Sequence, residues 1–274
     1  MPITLMYITN DPNIAAIAQN AGVDRIWIDM EYKGKESRQP GMNTVKSNHT
    51  VEDIKKLRPI LNSSALQVRI NPLDECSQKE IDDVVAAGAD YIMLPMFKIK
   101  DDVERFISLV DGRAKTILLL ETVDAAKNLE SYVDLPGIDE IHIGLNDLHL
   151  DYKKNFMFEL LADGTVDRLA SVLRAHGIKF GFGGIARLGY GMLPAEYIIR
   201  EHYRLGSSAA ILSRSFANAN NISDINELTQ IFETEIIKIR EFENTVTKYT
   251  PDQFEANRLE TIKFVNKICE GIKK

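Results

Sequence analysis

Short β-branched and apolar runs alternate about eight times with longer stretches whose apolar residues recur at helical spacing. That alternation predicts parallel strands joined by crossover helices. The strands fall at 3–9, 25–31, 65–71, 91–95, 115–121, 140–144, 179–183 and 209–213, and the helices between them at 13–20, 51–61, 78–87, 100–110, 124–133, 160–176 and 195–205. Gly22, Gly88, Gly177 and Gly206 stand where helical patterns stop, and a chain leaving a helix commonly takes a left-handed residue there. Eight strand-helix units predict an α/β fold of the (β/α)8 TIM-barrel class, for which roughly 250 residues suffice; the chain has 274. Beyond Phe216 the pattern is wholly helical, at 222–246 and 251–272. One of these helices is expected to complete the barrel and the other to serve as an extra packing or oligomer element. The expectation is one domain over 1–274, with a helical extension over about 222–274.

Barrel enzymes carry their chemistry where strands end. Two carboxylates occupy such places: Glu121 closes Lys115-Thr-Ile-Leu-Leu-Leu-Glu, and Asp147 follows Ile141-His-Ile-Gly-Leu-Asn. Consecutive parallel strands put these ends side by side, and two close carboxylates repel unless a cation joins them. Oxygen ligands without a nearby cysteine or histidine pair suit a hard ion, Mg2+ or in its place Mn2+ or Co2+.

The run Ile28-Asp-Met-Glu sets Asp29 and Glu31 on one side of a strand, as caps and structural ion-pair partners or as site residues ahead of a long loop. Arg69 lies in Gln67-Val-Arg-Ile-Asn-Pro, and a buried strand arginine needs carboxylates. Its planar fork also fits a substrate carboxylate or an enolate oxygen. The polar segment 32–50, rich in Gly, Lys and Ser, is the lid candidate, and His49 within it is an acid-base candidate or a solvated loop histidine. After the seventh strand, Gly181-Phe-Gly-Gly-Ile-Ala-Arg-Leu-Gly-Tyr-Gly either forms a tight turn or brings Gly184 and Arg187 to an anionic tail of the substrate. His149 is placed to line the mouth, while His142, His176 and His202 read as structural.

Composition narrows the field. A formal net charge of -7 argues against a nucleic-acid partner. Cys76 and Cys269 stand far apart, so neither a disulfide framework nor a zinc site is indicated. Without a signal-like start or a long apolar run, no membrane association is expected and a cytoplasmic location is.

Taken together, the motifs Ile28-Asp-Met-Glu, Val68-Arg-Ile-Asn-Pro, Ala87-Gly-Ala-Asp with Met93-Leu-Pro-Met, Leu120-Glu-Thr, and Gly137-Ile-Asp with Ile143-Gly-Leu-Asn-Asp-Leu resemble the HpcH/HpaI aldolase and citrate lyase family over roughly residues 10–216. The resemblance implies that Glu121 and Asp147 ligate a divalent metal, and that Arg69 steadies a 2-oxoacid and its pyruvate-type enolate during carbon-carbon cleavage. It further implies that Gly144, Leu145 and Asn146 offer backbone donors to the substrate carboxylate, with Asp29 and Glu31 beneath. A homo-oligomer, trimer or hexamer, follows from the same likeness.

In one respect the chain departs from the pattern. Where the sugar-acid aldolases carry a histidine base directly after the acid matched by Glu31, this chain has Tyr32, and the supporting aspartate is replaced near Ala86. His49, Tyr32 or a water on the metal is then required for proton transfer. The first expectation is a metal-dependent aldolase. The alternatives are an acyl-CoA lyase of the citrate lyase beta type, or a non-catalytic oxoacid-binding relative that has lost its base.

Overall fold

Strands rich in Ile, Leu and Val are buried on both faces here, inward into a barrel and outward under helices. In the computed structural model, which describes residues 1–34, 48–213, 216–217 and 224–272, they are β1 (Thr4–Ile8), β2 (Arg25–Asp29), β3 (Ala65–Arg69), β4 (Tyr91–Leu94), β5 (Lys115–Leu120), β6 (Glu140–Ile143), β7 (Lys179–Ile185) and β8 (Ala209–Leu212). Each pairs in parallel with the next, and β8 pairs with β1, closing the barrel. The (β/α)8 expectation therefore holds. Most strands leave the ladder a residue or two before the predicted end, because the last residue already turns toward the mouth, whereas β7 continues to Ile185.

The helices are α1 (Pro12–Asn20), α2 (Val51–Leu57), α3 (Ser77–Ala86), α4 (Lys100–Val110), α5 (Val123–Lys127), α6 (Leu129–Tyr132), α7 (Leu145–Asp151), α8 (Glu159–Ala162), α9 (Thr165–Ala175), α10 (Ala195–Leu205), α11 (Ile225–Val246) and α12 (Pro251–Ile272). Three expectations need correction. The span 124–133 is two helices meeting at Asn128, and 160–176 is broken by Gly164 at φ +82. Helix α7 was not predicted, because seven residues after a strand show too little periodicity. The candidate lid at 32–50 falls largely outside the described residues.

Apolar side chains form a shell between strands and helices and a smaller cluster inside the barrel, where Met6, Trp27, Met93, Ile117, Leu119 and Ala209 meet. Toward the strand starts this inner core is polar. Arg25 reaches across from β2 to Glu140 on β6 with bonds of 3.1 and 2.7 Å, under the Tyr91 ring at 4.1 Å. His142 also points inward, fully buried, and neither ring nitrogen has a hydrogen-bond partner of ordinary geometry. Gly181 makes its space: a Cβ there would lie 2.7 Å from His142 Nδ1 and 2.5 Å from the Ala209 carbonyl. Packing thus accounts for one glycine of the 181–191 stretch.

Helix α11 is the eighth barrel helix. It buries Leu228, Phe232, Ile236, Ile239 and Val246, and its Glu243 accepts the Ile3 amide at 2.7 Å. Helix α12 packs against α8 and α10, where Asn257 donates to Glu201 at 2.9 Å. Among the described residues, no helix is long and apolar enough to cross a membrane.

His142 and His202 are both pushed down to about 3, first by burial and then, for His142, by the Arg25 charge and, for His202, by His142. An unfolded chain takes up these protons near pH 6.5, so unfolding binds protons between the two values and stability falls as pH drops through that window. Urea unfolding should lose up to about 1.4 kcal/mol per pH unit per histidine below pH 6.5. In His202→Gln the slope between pH 6.5 and 5 should be roughly half that of the parent; an unchanged slope contradicts the assignment.

Candidate active site

Register places the first elements of the site. Asp29 and Arg69 are directly paired positions at the ends of β2 and β3, both turned inward. Arg69 donates from Nε and Nη2 to the two Asp29 oxygens at 2.8 Å each, and its Nη1 lies 3.2 Å from Glu31. Trp27, two residues before Asp29 and so on the same face, sets its ring 5.5 Å from the guanidinium carbon. Burial opposes the charge on Arg69, but Asp29, Glu31 and Glu121 overcome it and hold the guanidinium above its ordinary value. Asp29, Glu31 and Glu121 are 3%, 1% and 3% exposed, so this cluster is withdrawn from water.

Across the mouth, Leu120 and Ile143 are paired at the ends of β5 and β6, which sets Glu121 beside Gly144. The contact requires glycine: a Cβ on residue 144 would stand 2.8 Å from the Glu121 Cβ and 3.1 Å from its Oε2. Glu121 Oε1 accepts the Met96 amide at 3.2 Å. That amide is aimed by a left-handed backbone, φ +56, in the turn after Pro95, at a cost of order 1–3 kcal/mol for a non-glycine residue. Asp147 lies in the first turn of α7. Glu121 and Asp147 line one cavity of about 260 Å3, together with Met96, Lys98, Thr122 and Asp151.

This set fits a small hard cation. Among the described lining residues, Glu121, Asp147 and Asp151 share the cavity wall with one lysine, Lys98, and Asp151 accepts the Val123 amide at 2.6 Å. Among the described residues no group of three or more His, Cys, Asp or Glu side chains is arranged to enclose an ion. An ion held by two carboxylates would keep its other positions for water and substrate, as Mg2+ tends to do.

The remaining candidates are spread around this centre. His49 Nδ1 accepts the Asp29 amide at 3.0 Å, so in this arrangement the ring proton is on Nε2. Tyr32 is 65% exposed, and its amide, with that of Lys33, is bound by Asn71 Oδ1 at 3.1 Å. Asn71 in turn donates to Glu80 at 2.7 Å. Gly144 is not available as a backbone donor, because its amide binds Leu120 O at 2.9 Å in the strand ladder. The Leu145 and Asn146 amides, in the first turn of α7, have no intrahelical acceptor. Gly184 packs against β8, and Arg187 lies over the Tyr190 ring at 4.3 Å; neither lines the Glu121–Asp147 cavity. His149 is buried with Nδ1 against Leu145 O at 3.1 Å and is likewise outside that lining.

Sequence reasoning missed Trp27, Met96, Lys98 and the Asn71–Glu80 pair. For Trp27 the two-residue spacing before Asp29 was a usable signal. The turn at Met96 had none, since its role is a backbone amide.

The family model for HpcH/HpaI aldolase/citrate lyase matches residues 3–160. No curated protein matches. Among solved structures, an HpcH/HpaI aldolase/citrate lyase family protein from Burkholderia cenocepacia is similar with a TM-score of 0.62 at 13% identity, over 83% of this chain and 95% of the other. An HpcH/HpaI aldolase from Desulfitobacterium hafniense gives 0.61 at 14%, over 91% and 95%. A variant of the citrate synthase SbnG gives 0.59 at 16%, over 88% and 95%. At such identities these three likenesses speak for the barrel fold alone.

Removing Asp29 would leave Arg69 buried with its bidentate partner lost. Asp29→Ala should lower unfolding stability by about 3 kcal/mol in urea titration, and Asp29→Asn, which keeps one acceptor oxygen, by less. Equal stability of Asp29→Ala and the parent would contradict the buried pairing.

Proposed function

The chain belongs to the HpcH/HpaI aldolase/citrate lyase family, and from that premise we propose that it is a divalent-metal-dependent carbon-carbon lyase acting on a 2-oxoacid through a pyruvate-type enolate. The observation that carries this reading is the shared cavity of Glu121 and Asp147, with Arg69 close enough to Glu121 for their charges to interact. Family membership supports lyase chemistry; the metal, the oxoacid and the residue roles are our reading of the site.

Glu121 and Asp147 would hold Mg2+ or Mn2+, which when bound supplies Lewis acidity toward a keto oxygen. Arg69 is fixed before any substrate arrives, since Asp29 and Glu31 lock its orientation. Its charge then faces an oxygen that becomes negative in the transition state, with little reorganisation required. The amides of Leu145 and Asn146 orient the substrate carboxylate. Proton transfer falls to His49: Nδ1 accepts from the Asp29 amide, so Nε2 carries the ring proton and is the atom that donates to the substrate. Tyr32, largely solvent-exposed, is the less suited of the two.

The test is exchange of pyruvate methyl protons in D2O, followed by NMR. Exchange should require Mg2+ or Mn2+, cease with chelator, and drop at least about 100-fold in Glu121→Gln, Asp147→Asn and Arg69→Ala. His49→Ala should slow it by about 100-fold while leaving pyruvate affinity within a few fold. Full exchange after rigorous metal removal would rule this mechanism out.

Gly144→Ala offers a milder check. Its φ of -80 suits alanine, so the fold should tolerate the change, while the added Cβ displaces Glu121. Mn2+ affinity should fall by about 10- to 100-fold, the range seen when the support of a metal ligand is disturbed. Unaltered affinity would show that Glu121 is not held in place by this contact.

A further inference from the structure

A second cavity, of about 470 Å3, opens at the ends of β2 and β3, between the first turns of α2 and α3. Its wall includes Met30, Tyr32, His49, Val51, Asn71 and Cys76. We propose that this cavity is the subsite for the second half of the substrate, and that it receives an uncharged, largely apolar aldehyde. The proposal rests on the lyase reading above and extends it to the substrate class.

Position is the first ground. His49 belongs to both regions: it lines this cavity, and its Nδ1 takes the amide of Asp29, whose carboxylate holds Arg69. A molecule with its oxoacid end at Arg69 and its other end in the cavity would pass His49 at the junction. A proton-transfer group is needed at that point, beside the bond that forms or breaks. In the forming direction, pyruvate C3 loses a proton to a water in the site, the resulting carbon attacks the aldehyde carbonyl carbon, the new alkoxide takes the proton carried by His49 Nε2, and the protonated water returns a proton to His49. The product is a 4-hydroxy-2-oxoacid, with nothing else consumed.

Charge is the second ground. Among the described lining residues, Lys33 and Lys79 face Glu52, Glu80 and Asp83, one acid in excess. Each is engaged within the fold: Lys33 pairs with Asp74, Lys79 with Asp83 at 2.5 Å, Glu52 with Lys55 at 2.6 Å, and Glu80 accepts from Asn71 at 2.7 Å. Among the described lining residues, an aldehyde bearing a carboxylate or phosphate would meet one acid in excess and no cation without an acidic partner. Met30, Val51, Cys76 and the Tyr32 ring offer apolar contact instead, in a volume within the roughly 300–1,000 Å3 usual for small-molecule sites.

Cys76 supplies the test, because it is exposed and free while Cys269 is buried. With the full chain, Mn2+ and pyruvate, addition to benzaldehyde or hexanal should exceed addition to succinic semialdehyde by about tenfold or more in kcat/KM. Labelling Cys76 with N-benzylmaleimide should cut addition to hexanal by at least about tenfold while pyruvate methyl-proton exchange in D2O continues. Cys76→Ser should be insensitive to the reagent, and benzyl alcohol should slow labelling of the parent protein. If exchange persists but the anionic aldehyde is used as well as the neutral ones, or the Cys76 adduct leaves addition unaltered, the subsite assignment fails and the lyase reading stands. Absence of exchange in the unlabelled protein would defeat the lyase reading and the subsite with it.

Discussion

A guanidinium out of water inside a protein is tolerable only if carboxylates meet it, and that requirement organises the mouth of this barrel. Arg69 is gripped by Asp29 through two bonds and flanked by Glu31, and it feels the charge of Glu121. Desolvating several charges together costs several kcal/mol per ion, so such a cluster is a poor device for stability alone. Among the described residues three acids, Asp29, Glu31 and Glu121, act on this one guanidinium, beside the cavity that Glu121 lines with Asp147. Under the proposed function a cation is held there, and the fixed guanidinium next to it serves a substrate oxygen that gains negative charge.

The barrel makes this arrangement possible by register and by omission. Pairing of Asp29 with Arg69 across β2 and β3 brings acid and base together without any loop, and pairing of Leu120 with Ile143 does the same for Glu121 and Gly144. The omitted side chains matter as much: Gly144 leaves room for the Glu121 carboxylate, and Gly181 leaves room for His142 in the barrel interior. At Met96 the backbone accepts a left-handed turn so that an amide can reach Glu121. The polar base of the barrel, where Arg25 spans to Glu140, lies at the opposite end from this chemistry. It serves the interior rather than the mouth.

Much of this was legible in the residues alone, for reasons that differ by element. Strand positions followed from apolar runs doubly buried in a parallel sheet, and Glu121, Arg69 and Asp29 followed from their places at strand ends. What escaped was whatever depends on backbone geometry or on contact across the fold. The Met96 amide has no side-chain signature. The break at Gly164 lay inside a continuous apolar pattern, and α7 was too short to show a period. The glycine-rich stretch at 181–191 left a tight turn and an anion contact both open; Gly181 is required by the approach of Ala209 and His142, and Gly184 packs against β8. His49 was picked out by residue type, and only the folded chain brings it to the Asp29 amide.

In the proposed function Glu121 and Asp147 together bind one divalent cation beside Arg69. Electron paramagnetic resonance of Mn2+ titrated into the protein tests it most directly, with oxalate added as a mimic of the oxoacid enolate. One bound Mn2+ per chain is expected, with a spectrum that changes when oxalate is added and loss of that binding in both Glu121→Gln and Asp147→Asn. One Mn2+ bound with undiminished affinity in both variants, or none bound to the unaltered protein, would contradict it.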